Sequence, residues 1–228
     1  MFKNRSYTKE LLDGDSISSQ DLFQNLKELN TINNLLGGYR ISFNALKKVV
    51  VKTKPLVFVD IGCGGGDTLK QIQNWSRKYN YNLKLVGVDL KPVCIDYSVK
   101  NNNSEIEFIC DDYKNVLHHI SKVDVIHACL FCHHLTEDEI VGLIKFCKSH
   151  HITLIINDLE RNPIAYYAIK FLTQLFSKSY LVKNDAPLSV LRGFKKSEWE
   201  RIIKQAEVND YSINYKWAFR HEVIVYAN

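Results

Sequence analysis

The chain switches between two hydrophobic rhythms. From Leu56 to Asn157, short apolar runs alternate with stretches whose apolar residues recur every three or four positions. The runs at 56–61, 84–89, 106–110, 123–130 and 152–157 predict strands buried on both faces, since a strand covered on one side only would alternate with polar residues. The stretches between them, 67–79, 92–100, 112–120 and 136–149, carry the spacing of amphipathic helices. Such alternation predicts a parallel sheet with helices on both faces. Two last strands, near 210–217 and 220–227, are spaced to form an antiparallel hairpin. A helix precedes them, opening at the capping-box sequence Ser197, Glu198, Trp199, Glu200.

Two segments fall outside this core. Residues 1–50 form an N-terminal extension. Its stretch Gln20 to Leu36 places Leu22, Phe23, Leu26, Leu29, Ile32, Leu35 and Leu36 on one helix face. Gly37 and Gly38 end that helix, and a second short one is predicted from Ser42. Residues 161–194 form an insertion after the fifth strand. Pro163 marks a helix start there, and Tyr166, Tyr167, Phe171, Phe176 and Tyr180 follow. Most of these aromatics read as an extra core layer; the alternative is a wall or lid over an apolar substrate. The expected organisation is one domain, with a helical extension or lid over 1–50 and an α/β body over 51–228.

The most informative segment joins the first strand to the next helix. The apolar run ends on Asp60 and breaks into Gly62, Gly64, Gly65 and Gly66, followed by Asp67. Glycines there let the chain turn sharply and approach a ligand closely. The dinucleotide fingerprint requires a third glycine where this chain has Asp67. The spacing present is D-x-G-x-G-x-G. A pyrophosphate would be repelled by Asp60 and Asp67, whereas a cationic ligand would be attracted.

This spacing resembles the first motif of the class I S-adenosylmethionine (SAM) methyltransferases, and three further motifs follow in register. The resemblance implies SAM as cofactor, bound by Asp60, Gly62, Gly64, Gly66 and Asp67. Asp89, at the end of the second strand and followed by Leu90, would take the ribose hydroxyls. Asp112 would take the adenine amino group, with Tyr113 offering a backbone N–H. It also implies a Rossmann-like fold with a mostly parallel seven-stranded sheet, a terminal antiparallel hairpin and an N-terminal helical cap. More narrowly, residues 26–38, 157–163 and 184–193 are similar to bacterial small-molecule methyltransferases, some of them associated with polyketide or phenolic-pigment pathways.

Composition adds limits. With 228 residues, 46% hydrophobic and 24% charged, the chain is an ordinary globular protein. Met1 to Gly14 is polar and no apolar run reaches membrane-spanning length, so a cytoplasmic protein is expected. The net charge of +5 arises wholly in residues 161–228, where 11 basic residues face 6 acidic ones. These are scattered, which argues against nucleic acid as a partner and for a small-molecule substrate. Cys129, Cys132 and His133 match the haem-attachment spacing, but within an apolar strand the two cysteines read as buried thiols. No ligand set for a metal is complete.

Methyl transfer to a phenol or enol oxygen, or to carbon, benefits from a base with a pKa near neutrality. His133 and His134, just past the fourth strand, are the candidate base and substrate anchor. As neighbours they are expected to point in different directions. Asp158, just past the fifth strand, is a second candidate base, and Tyr166, Tyr167 and Arg192 are candidate substrate contacts. An RNA or protein methyltransferase, or a SAM-binding protein without catalysis, are the alternatives.

Overall fold

The computed structural model describes residues 1–14, 17–51 and 54–227. Seven strands form one sheet: β1 (Leu56–Ile61), β2 (Leu83–Asp89), β3 (Ile106–Cys110), β4 (Val125–Cys129), β5 (Thr153–Leu159), β6 (Tyr211–Lys216) and β7 (Arg220–Val225). Their order is β3-β2-β1-β4-β5-β7-β6. All pairs are parallel except those made by β7, which runs antiparallel to both β5 and β6. This is the Rossmann-like architecture expected from the sequence: a mostly parallel seven-stranded sheet with a terminal antiparallel hairpin.

Strand parity divides the core. Val59, Val86, Ile126, Leu154 and Ile156 face helices α6 (Glu137–Ser149) and α9 (Lys196–Gln205), meeting Ile140, Leu143, Trp199 and Ile202. Their alternates, Phe58, Leu85, Val125, Ile155 and Ile224, face α2 (Gly38–Val49) and α3 (Asp67–Tyr79), meeting Ala45, Leu46, Leu69 and Ile72. Both faces are therefore dry, which is why these strands read as unbroken apolar runs.

The N-terminal extension splits in two. Helix α2 packs its apolar face on the sheet and is core structure. Helix α1 (Ser19–Leu35), capped by Ser18, lies over the glycine turn instead: Leu22 and Leu26 are buried against Cys94 and Tyr97 of α4 (Pro92–Asn101). Gly37, with φ +69°, makes the corner between the two helices, so α2 starts at Gly38 rather than Ser42.

Other boundaries also differ. Residues 112–120 form a 3₁₀ turn and the short α5 (Val116–His119), because Asp112 caps the turn by accepting from the Lys114 N–H. The capping box of α9 sits two residues early: Glu198 accepts from the Lys195 N–H at 2.7 Å. The insertion holds two helices, α7 (Pro163–Phe176) and α8 (Tyr180–Arg192), the second carrying Pro187 inside it. No helix among the described residues is long and apolar enough to cross a membrane.

Candidate active site

The chain leaves β1 through a turn that only glycine can make. Gly62, Gly64 and Gly66 have φ of +63°, +52° and +72°. A Cβ on Gly62 would stand 2.2 Å from Phe131 Cδ2, and one on Gly66 would stand 2.8 Å from Phe108 Cζ. The middle of the turn is pinned from both sides. The Gly64 N–H donates to Asp89 Oδ2 at 2.9 Å, and Ser98 Oγ donates to the Gly64 carbonyl at 2.8 Å.

This turn forms one end of a cavity of about 790 Å³. Gly62, Gly64, Asp67, Asp89, Leu90, Asp112 and Tyr113 line it. Burial pushes Asp67 up to about 6, with Lys70 pulling the other way. Burial also raises Asp89, against the backbone N–H groups of Lys91 and Gly64 that favour its ionised form. Leu90 is 66% exposed and offers a flat apolar contact at the cavity edge. Asp111, missed by the sequence reading, lines the same end and holds Asn115 and His119.

The other end gathers groups from across the chain. A 3₁₀ turn, Cys132–His134, follows β4. His133 is buried, and its Nδ1 lies 2.7 Å from Oδ1 of the fully buried Asp158. Asp158 also accepts from the His133 and Leu159 N–H groups. Burial alone would raise this carboxyl, but His133 and those N–H groups outweigh it and hold it below its ordinary value. An ionised Asp158 must accept, so Nδ1 carries the proton, and Nε2 is the ring nitrogen left for the cavity. His134 Nδ1 lies 2.9 Å from Asp13 Oδ1.

Both Nε2 atoms turn toward Glu10, at 3.6 Å for His133 and 3.8 Å for His134. The tight turn stacks the rings side by side, 4.3 Å between centroids, which corrects the expectation of divergent directions. Burial raises the Glu10 carboxyl, opposed by His134 and by the Ser189 hydroxyl. Two arginines fix this loop. Arg5 donates to the carbonyls of His133, Leu135 and Arg192, and Arg192 donates to those of His133, His134 and Thr8.

Residues 58–151 match the family described as a methyltransferase domain. No curated protein matches the chain by sequence. Among solved structures, the plantazolicin methyltransferase BpumL, in complex with a triazolic desmethylPZN analogue and SAH, is similar at TM-score 0.67 and 18% identity. The match covers 92% of this chain and 95% of that one. Human N-acetylserotonin methyltransferase in complex with SAM is similar at TM-score 0.64 and 14% identity over 92% of this chain and 57% of that one. A putative O-methyltransferase from Nostoc punctiforme is similar at TM-score 0.54 and 12% identity, covering 88% and 60%.

Residues 58–151 of the protein form a SAM-dependent methyltransferase domain.

The methyltransferase's glycine end suits this cofactor. The turn leaves room for a close backbone approach at Gly64, and the two carboxyls that burial raises, Asp67 and Asp89, gain from a cationic or hydroxyl-bearing ligand. Two of the expected cofactor residues stand behind the cavity wall. Gly66 serves the packing of Phe108. Asp60 is buried with its Oδ1 2.7 Å from His127 Nδ1, and His127 Nε2 lies 2.8 Å from Ser42 Oγ. This chain of contacts ties α2 to the sheet beneath the cofactor turn.

The substrate end needs three corrections. Asp158 does not line the cavity: its oxygens accept from the His133 ring and N–H and from the Leu159 N–H. Arg192 is spent on backbone carbonyls and Asp13. Tyr166 and Tyr167 pack edge-on to Phe2 and do not line the cavity. Ala165, Ala168, Ile169 and Leu172 face the cavity in their place.

Proposed function

We propose that this methyltransferase acts on an oxygen nucleophile of a small, apolar, phenolic or polyketide-like molecule, with His133 as the proton acceptor. The observation that carries the reading is the Asp158–His133 pair: a buried carboxylate fixes the tautomer and leaves Nε2 on the cavity wall. SAM, when bound, supplies the electrophilic methyl group. The chain's own residues do the rest. Asp67 and Asp89 hold the cofactor, and His133 Nε2 takes the acceptor's proton. Glu10 stands near enough to favour the imidazolium that results. Leu29 and Ile32 of α1 and Leu36 just after it, with Ile169 and Leu172 of α7, wall the cavity with apolar surface and keep water out. On this reading residues 1–14 and α1 form the roof over a SAM-binding body. The test is SAM consumption against a panel of phenols and enols, with mass spectrometry of the products. Oxygen-methylated products support the reading.

A second reading has its own support. The buried Glu10 carboxylate beside two imidazoles also suits an ammonium group, and BpumL is a plantazolicin methyltransferase solved with a desmethylPZN analogue. An amine acceptor in a peptide-like molecule would place its cation on Glu10 and lose its proton to His133. Peptides with a free amino terminus belong in the same panel, and methylated amines as the sole products would overturn the oxygen reading.

A further inference from the structure

Helix α7 is the most apolar helix of the chain and the least covered. Of its fourteen residues only Thr173 is buried. Ala165, Ala168, Ile169 and Leu172 face the cavity, but Ile164, Phe171, Leu175 and Phe176 face outward and are 68%, 64%, 59% and 77% exposed. Spacings of seven and four place Ile164, Phe171 and Leu175 on one stripe. A substrate in the cavity cannot cover that stripe. Stable monomeric surfaces seldom leave such a patch in water.

The charged side chains carried by α7 and the turn after it are basic. From residue 161 to residue 184 the chain has no acidic residue, while Lys170 and Lys178 are exposed. Glu28 of α1 brings one carboxylate to the end of the helix, where it accepts from the Ser177 hydroxyl and the N–H groups of Lys178 and Ser179 and offsets Lys178, so the border keeps a net positive charge. Trp217, 79% exposed at the β6–β7 turn, lines the same cavity and offers a further amphipathic side chain. A second copy of this chain would bring lysine against lysine. A lipid surface bearing negative headgroups meets both features, the apolar stripe and its basic border.

We propose that the outer face of α7 docks on an anionic membrane surface. The cavity then opens beside the bilayer, and an apolar acceptor can pass from lipid along α7 without crossing water. This does not depend on which atom is methylated.

The test is co-sedimentation of the full chain with phosphatidylcholine vesicles and with vesicles containing one quarter phosphatidylglycerol. Two lysines at about fivefold each, one of them beside Glu28, predict about 5- to 25-fold tighter binding to the anionic vesicles, weakening as salt rises. The double variant Phe171→Glu, Leu175→Glu should lose vesicle binding and keep SAM affinity. The pair Lys170→Glu, Lys178→Glu, which leaves the apolar stripe intact, should lose the preference for phosphatidylglycerol. No binding to either vesicle, or equal binding to both, overturns the proposal. So does a dimer in light scattering that the Phe171→Glu, Leu175→Glu variant dissolves, since the stripe's occupant is then a second copy.

Discussion

Replacing Asp158 by Asn tests the orienting role at small steric cost. The carboxylate accepts three hydrogen bonds: from His133 Nδ1 at 2.7 Å, from the His133 N–H at 3.1 Å and from the Leu159 N–H at 2.7 Å. An amide offers one accepting oxygen and turns an NH2 toward at least one of these sites. If that site is Nδ1, the imidazole must accept there, and its proton moves to Nε2. The base is then in the wrong tautomer, as in a serine-protease triad whose aspartate becomes asparagine. The expected loss in single-turnover methyl transfer is about 10²–10⁴-fold. A buried donor left without its partner costs about 1–3 kcal/mol. For a chain of this length that lowers Tm by roughly 2–12 °C. SAM affinity by calorimetry should hold, since Asp158 does not line the cavity. A folded variant that transfers methyl within about threefold of the parent rate refutes the reasoning.

Three other outcomes follow from the cofactor end and the roof. Asp89→Ala should weaken SAM by about 1–3 kcal/mol in calorimetry, the scale of hydrogen bonds to a charged group; unchanged affinity would remove Asp89 from the ribose role. Asp67, held up to about 6 by burial, is mostly ionised at pH 7 and mostly neutral at pH 5, so SAM affinity should fall by up to roughly tenfold between them. Asp67→Asn should flatten that profile. Its effect on the ligand-free protein has the opposite sign: the folded state holds this proton more tightly than the unfolded one, so Asp67 contributes stability as pH falls from about 6 toward the ordinary carboxylate range. Deleting residues 1–14, which supply Arg5, Glu10 and Asp13, should abolish transfer while SAM still binds; loss of SAM binding would make the segment part of the cofactor body.

The cofactor half was legible because its parts are local. A strand end, a glycine turn and a helix start lie within twelve residues, and only one backbone path joins them. The acids at 89 and 112 follow at strand ends that hydrophobic runs mark clearly. The substrate half was not local. Glu10 and Asp13 sit in a polar stretch without periodicity and reach His133 and His134 only through tertiary packing. That packing depends on Asp185, whose carboxylate receives the Leu11 and Leu12 N–H groups. Helix α8 was hidden because Pro187 lies inside it, and the insertion was read as one helix adding a core layer, with a wall or lid as the alternative. His127 sits among apolar neighbours in β4, where its bonds to Asp60 and Ser42 leave no mark on the sequence pattern. The tyrosines of α7 drew notice as aromatics, yet the cavity is faced by its alanines, which allow close approach.

The most direct measurement compares His133→Ala with His134→Ala in single-turnover transfer of a labelled methyl group from SAM, on an acceptor identified with the parent protein. The account predicts a loss of about 10²–10⁴-fold for His133→Ala at unchanged SAM affinity, and a much smaller loss for His134→Ala, whose ring is anchored to Asp13 at the cavity edge. Near-normal rates in both variants would contradict it and leave methyl transfer to alignment alone.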